Sequence, residues 1–367
     1  MNILVFNWRD ITHPWAGGAE VNIHEIAKVW AKQGHNITLF CGAYENSKPN
    51  ETIDGINIIR KGDRFSVYLH AFWQYLTSLH NQKFDVIIDD VNGIPFFTPL
   101  FSRKPKIAMF HHAVDKIFFK ELPYLPAIVG YSIEKIILPL LYRNTKIVAV
   151  SESSRKDLIK LGLPKDNILV VHNGLNHAVV KPNFNIKTTK PTICYVGRIR
   201  KYKRLDLLIE MMTELIKGIP DLRLVIAGEG DASDSIKTKI RSSNLSENVK
   251  FLGHVTLKEK IEILQKSWLF VTPSEKEGWG ITVLEANACG TPVVAFDVPG
   301  LTDSVVNGKT GFLVNDRSEF LKKIEEIITN KELRNTLSKE AVEWSKNFDW
   351  EKSSTALMNL LTELKPK

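Results

Sequence analysis

Short apolar segments alternate with helical patterns along almost the whole chain, and this alternation limits the possible folds more than any other feature. Strands that alternate with helices are typical of a parallel α/β sheet. Helical stretches such as Ala19–Lys32 and Ser153–Leu161 separate several of the apolar segments. In the first half the predicted strands are Ile3–Phe6, Ile37–Phe40, Ile56–Ile59, Val86–Ile88, Ile107–Phe110 and Ile147–Val150.

The pattern restarts after Lys181–Pro191, a polar stretch ended by prolines that we interpret as a linker. With 367 residues, the chain is too long for one core and has room for two domains. We therefore predict an α/β protein with two doubly wound, Rossmann-like domains at 1–180 and 190–349. The second set of predicted strands is Ile193–Val196, Leu222–Ala227, Val249–Leu252, Leu269–Thr272, Val293–Phe296 and Phe312–Val314.

Composition excludes several classes of protein. Charged residues make up 25% and hydrophobic residues 44%, as in soluble globular proteins. No uninterrupted apolar run reaches the roughly 18 residues of a membrane span, and Met1–Asp10 resembles a buried strand more than a signal peptide. Three scattered cysteines argue against a disulfide framework or a zinc site, so we expect a cytoplasmic protein.

The net charge of +8 is compatible with phosphorylated substrates, an anionic membrane or nucleic acid, or with a lysine-rich surface that only aids solubility. No run of clustered Lys and Arg suggests a nucleic-acid groove, and the usual nucleic-acid-binding motifs are absent from the sequence, so we expect no nucleic-acid partner. In the stretch Arg60–Leu76, aromatic and apolar residues at helical spacing lie beside basic ones. This pattern fits either a core helix or an interfacial helix, and it leaves peripheral contact with the inner face of a membrane open.

Two glutamates, Glu277 and Glu285, are separated by seven residues in the most specific motif of the chain. Gly278 and Gly280 allow a tight turn and a close approach of the backbone to a ligand. The run Ile281–Cys289 that follows has helical spacing. A helix N-terminus suits a phosphate, and ionised carboxylates accept hydrogen bonds strongly. We therefore predict a site for a sugar and a phosphate here.

The segment Ser274–Pro292 resembles the Glu-x7-Glu signature of glycosyltransferase family 4, which comprises retaining, nucleotide-sugar-dependent enzymes of GT-B fold. Such a fold has two facing Rossmann-like domains with the nucleotide-sugar cleft between them. The resemblance implies that the donor binds mainly to the second domain, and that a final helix at about 350–367 crosses back to the first. Further stretches match at 171–174, 227–230, 252–254, 299–304 and 310–314.

In each half of the chain, a glycine-containing loop follows the first strand, which is where doubly wound domains bind ligands. Gly17 and Gly18 open a helix but lack the spacing of the dinucleotide fingerprint. After Gly197, Arg198 and Lys203 stand five residues apart, and such cations can neutralise a departing diphosphate. The resemblance places the first loop near the donor phosphates and the acceptor, and assigns Arg198 and Lys203 to the diphosphate. In the family a glycine often follows that lysine, whereas this chain has an arginine at position 204.

The resemblance also assigns roles to single residues. It implies that Glu285 accepts hydrogen bonds from the ribose, that Glu277 holds hydroxyls of the transferred sugar, and that His111 contacts that sugar from the first domain. His111 matches the family histidine better than His112 does. The expected catalytic residues are Glu277, His111, Arg198 and Lys203, and the expected donor-binding residues are Gly17, Gly18, Gly197, Gly253, Glu277, Gly278, Trp279, Gly280, Ile281 and Glu285.

These features together imply a retaining hexosyltransferase that uses a donor of the UDP-glucose or GDP-mannose type and a glycan, glycolipid or polyprenyl-linked acceptor. We expect no cofactor and no essential metal, since the adjacent Asp89 and Asp90 lack the Asp-x-Asp spacing of metal-dependent transferases. Two alternatives stay open. A Rossmann oxidoreductase of the NAD type would bind nicotinamide, and a non-catalytic sugar-nucleotide-binding protein would show no donor turnover.

Overall fold

A computed structural model of the chain describes residues 1–364, which form two compact units. The first unit contains Met1–Gly174 and the described residues from Trp350 onward. The second unit contains Leu175–Asp349. The first boundary thus lies shortly before the linker position chosen from the sequence, and the final helix belongs to the first unit.

The first unit is built on a sheet of eight strands in the order β3-β4-β2-β1-β5-β6-β7-β8. Only the pair β3 and β4 is antiparallel. All six predicted strands are present, but β3 and β8 were not predicted, because β3 is a short exposed edge with polar residues and β8 has three residues. The strands are β1 (Asn2–Phe6), β2 (Asn36–Cys41), β3 (Asn50–Ile53), β4 (Ile56–Arg60), β5 (Val86–Val91), β6 (Lys106–Phe110), β7 (Lys146–Ala149) and β8 (Ile168–Val170).

The second unit has six strands, all parallel, in the order β11-β10-β9-β12-β13-β14. Each corresponds to a predicted strand, because buried parallel strands are continuous apolar runs that stand out in a sequence. The strands are β9 (Thr192–Val196), β10 (Arg223–Ala227), β11 (Val249–Gly253), β12 (Leu269–Thr272), β13 (Val293–Phe296) and β14 (Gly311–Val314).

Helices connect the strands in both units. In the first unit they are α1 (Gly18–Lys32), α2 (Val67–Thr77), α3 (Thr98–Phe101), α4 (Phe118–Glu121), α5 (Tyr124–Ser132), α6 (Leu138–Leu141) and α7 (Glu152–Lys160). In the second unit they are α8 (Leu205–Gly218), α9 (Ser233–Ser242), α10 (Leu257–Lys266), α11 (Ile281–Ala288), α12 (Leu301–Ser304), α13 (Arg317–Thr329) and α14 (Lys331–Ser345), and the last helix of the chain is α15 (Trp350–Leu364).

The last helix completes the first unit. It packs on α1, where Trp30 is fully buried and donates a hydrogen bond from Nε1 to the carbonyl oxygen of Ser354 at 3.2 Å. Leu357 and Leu361, one helical turn apart, are fully buried on the same helix. The first unit is therefore assembled from both ends of the chain.

A wide π turn, Ile133–Ile137, joins α5 to α6, so that Tyr124–Leu141 is one helical segment. By length and composition its 18 residues suffice to cross a membrane, and 22% of them are buried. Because Glu134 and Lys135 interrupt the apolar run, the sequence did not show it as a continuous span.

The stretch Arg60–Leu76 combines core and surface. Val67 and Ala71 on α2 are fully buried, whereas Phe65 and Trp73 are 74% and 62% exposed. One face of α2 therefore belongs to the core, and the other face presents aromatic side chains to solvent.

Candidate functional site

The sheet of the second unit has a switch point between β9 and β12. From β9 the chain proceeds through β10 and β11 in one direction, and from β12 through β13 and β14 in the other. Ligands of such sheets bind outside the carboxyl ends of the strands at this point. The loops that leave β9 and β12 there are 197–204 and 273–280, which contain five of the ten predicted donor-binding residues.

The loop after β9 is packed tightly on the loop after β10. Gly197 donates from its backbone N to Ala227 O at 3.0 Å, and a Cβ on Gly228 would lie 1.9 Å from Gly197 O. The side chain of Tyr195 donates to the carbonyl oxygen of Arg198 at 2.9 Å. Arg204 adopts a left-handed backbone with φ 55°, so this arginine makes the turn at a position where the family often has a glycine.

Two of the predicted catalytic residues meet across the switch point. The Lys203 ammonium donates to a carboxylate oxygen of Glu277, and both side chains are mostly buried. Burial acts to lower the pKa of Lys203, but the charge of Glu277 outweighs it and raises this pKa overall, while the nearby Arg198 opposes the rise. Lys203 is therefore held in its charged form and joined to the carboxylate expected to hold the sugar.

The loop before α11 approaches the loop after β13 at backbone distance. Glu277 donates from its backbone N to Pro299 O at 3.0 Å, and a Cβ on Gly300 would lie 2.2 Å from the carbonyl oxygen of Glu277. Gly280, with φ 84°, is the residue before Ile281, the first residue of α11. This geometry directs the N-terminus of α11, with its orphan N–H groups, toward the switch point.

The predicted residues Gly278 and Trp279 lie in the same loop, and Trp279 is only 3% exposed. Its ring packs against Phe348 with centroids 5.3 Å apart. The Trp279 side chain therefore helps to hold the loop.

Glu285 is buried on α11, and its two carboxylate oxygens have different surroundings. One oxygen accepts a hydrogen bond from the Lys260 ammonium on α10. The other, Oε2, is buried without a partner among residues 1–364. A buried acceptor without a donor is costly, so this oxygen is suited to a ligand hydroxyl. Gly253, another predicted donor-binding residue, ends β11 with φ 70°, and its carbonyl oxygen accepts from Gly228 N at 2.7 Å.

The first unit has its own switch point, between β1 and β5. Gly17 donates from its backbone N to Glu20 Oε2 at 2.7 Å, and Gly18 begins α1. The other oxygen of this buried carboxylate accepts from Arg9 Nε at 3.0 Å and from Asn92 Nδ2 at 3.1 Å. Glu20 thus ties together the loops that follow β1 and β5 and fixes the glycine loop between them.

His111 follows β6 at the same edge of the sheet and is buried. Its Nε2 is 2.7 Å from Asp90 Oδ1, and the Ser154 hydroxyl donates to its carbonyl oxygen at 3.1 Å. Burial acts to lower the pKa of His111, but the charge and hydrogen bond of Asp90 raise it overall, with a further contribution from Glu20. Burial also raises the pKa of Asp90, so the pair retains its shared proton to a higher pH than an isolated histidine.

The two adjacent aspartates have separate roles. Asp89 is fully buried, and its carboxylate accepts hydrogen bonds from the Thr98 hydroxyl, the backbone N of Phe96 and the Tyr142 hydroxyl. Within residues 1–364, no group of three or more His, Cys, Asp or Glu side chains is arranged to hold a metal ion.

Three partners of the predicted residues were missed in the sequence: Lys260, Asp90 and the Arg9–Glu20 pair. Lys260 and Asp90 come from other segments, 25 and 21 residues away from Glu285 and His111, and Arg9 and Glu20 lie 11 residues apart. The one sequence signal for Asp90 is the pair Asp89–Asp90 at a strand end, which we compared only with a metal-binding motif. Spacing alone gave no indication of the other two.

Comparison with known families divides the chain into two matched parts. Residues 16–179 match the model of glycosyltransferase family 4, and residues 178–344 match the model of the glycosyl transferases group 1. An uncharacterized glycosyltransferase of Methanocaldococcus jannaschii is 25% identical over 96% of this chain and 97% of its own length. The capsular polysaccharide biosynthesis glycosyltransferase CapM of Staphylococcus aureus is 30% identical over 65% of this chain and 67% of its own length.

Solved structures resemble the chain along almost its entire length. Sucrose-phosphate synthase of Thermosynechococcus elongatus gives a TM-score of 0.83 at 20% identity, covering 99% of this chain and 98% of that one. HepE of Anabaena, solved in complex with UDP and glucose, gives 0.81 at 18% identity, covering 99% and 100%. At these identities the likeness shows the fold, and the GT-B fold predicted from the sequence is confirmed.

Proposed function

The chain belongs to the group 1 glycosyl transferases of the family 4 type, and we propose that it moves a hexose from a nucleoside diphosphate sugar to a glycan or lipid-linked acceptor with retention of configuration. The observation that carries this proposal is the pairing of Lys203 with Glu277 at the switch point of the second unit. A cation for the diphosphate and a carboxylate for the sugar are held side by side. Membership of a transferase family removes the reason to consider an NAD-type oxidoreductase.

When the donor binds, the ion pair between Lys203 and Glu277 separates and each residue takes a new partner. Lys203 turns to the diphosphate together with Arg198, which frees Glu277 to accept hydrogen bonds from hydroxyls of the transferred sugar. The N–H groups at the start of α11 contribute further donors to the phosphates. Glu285 Oε2, which lacks a donor among the described residues, accepts from the ribose. We assign His111 the role of donating a hydrogen bond to a sugar hydroxyl.

In the proposed reaction, the bond between the anomeric carbon and the phosphate oxygen breaks, and a bond from that carbon to the acceptor oxygen forms on the same face of the sugar. The leaving phosphate accepts the proton of the acceptor hydroxyl. Arg198 and Lys203 stabilise the charge that grows on the diphosphate, so the reaction needs neither a cofactor nor an essential metal. We place the enzyme in the cytoplasm, with peripheral contact to the inner face of a membrane where its acceptor is lipid-linked.

A thermal-shift screen in EDTA with UDP-, GDP- and ADP-sugars and with NAD tests this function. A ligand at 100 times its dissociation constant adds about 2.7 kcal/mol of stability, which is visible in Tm. We expect one class of sugar nucleotide to raise Tm without metal, with UDP-glucose or GDP-mannose as the leading donors. A response to NAD alone would overturn the proposal. Binding without any donor turnover would favour a non-catalytic sugar-nucleotide-binding protein.

A matched pair of variants then tests the role of Lys203. Replacing Lys203 by Ala should lower kcat/KM by a factor of about 100 or more, as for the loss of one group that stabilises the transition state. The control is Lys201→Ala, which removes an exposed cation of the same loop and should have little effect. Near-normal turnover in Lys203→Ala would remove the phosphate assignment.

A further inference from the structure

Exposed apolar side chains are concentrated in one part of the first unit. Among the described residues, 19 large apolar side chains are exposed, and 14 of them lie between positions 65 and 140. The second unit, of similar size, contributes three. Large patches of this kind mark interaction surfaces, whereas single exposed residues do not. The 14 residues are Phe65, Leu69, Phe72, Trp73, Leu76, Leu100, Phe119, Tyr124, Leu125, Ile128, Val129, Ile136, Ile137 and Leu140.

The helices that carry these residues cover the same face of the first sheet. Register pairs Phe6 with Asp89 and Asp89 with Ala108, so these three side chains point to one face. Phe6 packs in the cluster that includes the buried face of α2, and Ala108 packs in the cluster that includes Leu138 of α6. We call the outer side of this layer, defined by the 14 exposed residues, the apolar face.

Contacts beneath the apolar face join the helices that carry it. The ring of Phe72 on α2 meets that of Phe101 on α3 at 5.6 Å between centroids. Thr98 of α3 and Tyr142, which follows α6, both donate to the carboxylate of Asp89. The layer therefore runs without a break from α2 through α3 to the long helical segment Tyr124–Leu141.

That helical segment lies along the sheet and is fixed to it. Ala127, Gly130, Glu134 and Leu138 form a buried stripe at helical spacing. Gly130 lies so close to Phe118 that an added Cβ would be 2.8 Å from its ring, and Glu134 accepts from the backbone N of Asp115 at 2.8 Å. A helix held on one side by such contacts can rest in a membrane interface with its other side, whereas spanning a bilayer would break these contacts.

Charge at the edges of the apolar face is mostly positive. Lys116 and Lys120 precede the helical segment, Arg143 follows it, and all three are exposed. Of the six acidic residues between positions 64 and 143, Asp89, Asp90 and Glu134 are buried. An apolar helix face with basic flanks is the pattern of helices that lie in an anionic membrane surface.

We propose that the apolar face docks this protein on the surface of an anionic bilayer, with the segment Tyr124–Leu141 lying in the interface. The apolar side chains enter the boundary between headgroups and acyl chains, and the basic residues meet the acidic headgroups. This docking rests on the proposed function in one respect: its purpose would be to bring the enzyme to a lipid-linked acceptor. Lipid binding itself requires no sugar nucleotide, so it is measured separately.

The test is co-sedimentation of the full chain with vesicles of phosphatidylcholine alone, or of phosphatidylcholine mixed with phosphatidylglycerol. We expect the protein to bind the anionic vesicles at least about tenfold more tightly than the neutral ones, and less tightly at high salt. The variant Leu125→Glu with Leu140→Glu should lose at least about tenfold in this binding, because two apolar side chains are replaced by charges that anionic lipid repels. These two leucines are 74% and 73% exposed, so the fold should tolerate the change.

The matched control is Leu169→Glu with Val179→Glu, which adds the same two charges at exposed apolar positions outside the apolar face. Leu169 pairs with Val148 in register, and so lies on the opposite face of the sheet from the cluster around Ile147. This control should bind anionic vesicles like the unchanged protein. Absence of binding by the unchanged protein, or equal binding by the Leu125/Leu140 variant, would overturn the proposal.

Two further readouts separate the possible failures. Light scattering after gel filtration would overturn membrane docking if it showed a stable dimer that only the Leu125/Leu140 variant loses, because the apolar face would then be covered by a second copy. The sugar-nucleotide thermal shift should be the same in all three proteins. If the Leu125/Leu140 variant loses vesicle binding but keeps its thermal shift, the change affects the apolar face alone. If the unchanged protein shows no thermal shift, the proposed reaction is contradicted and the docking proposal is not.

Discussion

One hydrogen bond determines which side of His111 is available to a ligand. Asp90 engages Nε2, so Nδ1 is the nitrogen that would serve the proposed contact with a sugar hydroxyl. A neighbouring carboxylate also favours the protonated ring, which can then donate from Nδ1. Asp90 is thus a positioning residue for His111, and the pair functions as a unit.

Replacing Asp90 by Asn should shift the alkaline limb of the pH profile of kcat/KM to lower pH. The amide cannot supply the charge that raises the pKa of His111, so burial lowers this pKa and the ring loses its proton earlier. The measurement is donor turnover across a pH series. In a His111→Gln background the limb should be absent and Asp90→Asn should add no shift. An unchanged limb in the single variant would show that His111 does not titrate in catalysis.

Lys260 holds one oxygen of Glu285, and the other, which has no partner among the described residues, is the one proposed to accept from the ribose. The variant Lys260→Met should raise KM for the donor about tenfold with little change in kcat, because a buried carboxylate without its cation is misplaced before the donor binds. Lys266→Met is the matched control, since that lysine pairs with Glu262 on the same helix in an exposed position. Equal KM values in the two variants would contradict a positioning role for Lys260.

At the scale of elements, the loops of the site depend on backbone contacts that exclude a side chain. Gly300 has φ 86° and lies against the carbonyl oxygen of Glu277, whereas Gly308 has φ 76° with open space around it. Both substitutions by Ala incur the cost of a left-handed backbone, about 1–2 kcal/mol. Only Gly300→Ala also forces apart the loops that hold Glu277.

Gly300→Ala should therefore destabilise the protein by at least about 2 kcal/mol more than Gly308→Ala, on the scale of overpacking. It should also lower donor affinity, which Gly308→Ala should not. Urea unfolding and the thermal shift with the donor measure the two effects. If both variants behave alike, the Cβ on Gly300 is accommodated and the two loops are not rigidly joined.

Most elements of this fold were predictable because buried parallel strands are apolar runs separated by helical periods. The edge strand β3 was not, because its residues Asn50–Ile53 face solvent and carry polar groups. Local motifs, with the family resemblance, also led to the prediction of Lys203 and Glu277 as site residues, since glycine-containing loops after strands mark ligand sites. Their direct pairing was not predictable, because it joins loops 74 residues apart. Tertiary contacts of this kind have no signal in local spacing.

At the scale of the whole molecule, the first unit depends on both ends of the chain. Residues from Trp350 onward return to pack on α1, so a change in α15 should be felt in the sheet of strands β1 to β8. By the same reasoning, a destabilising change in α14 should reduce the stability of the second unit. The two fully or nearly fully buried leucines Leu357 and Leu337 allow a reciprocal test.

Leu357→Ala should cost about 2–5 kcal/mol, as for a core leucine replaced by alanine, and the cost should appear in the first unit. Hydrogen exchange should show lost protection in peptides of β1, β5 and β6 and native protection in β9 to β14, because a local core stabilises the strands that it covers. Leu337→Ala should give the reverse pattern. Uniform loss of protection in both variants would mean that the two units unfold as one cooperative body, and the return of the chain through α15 would then stabilise the whole protein and not its first unit alone.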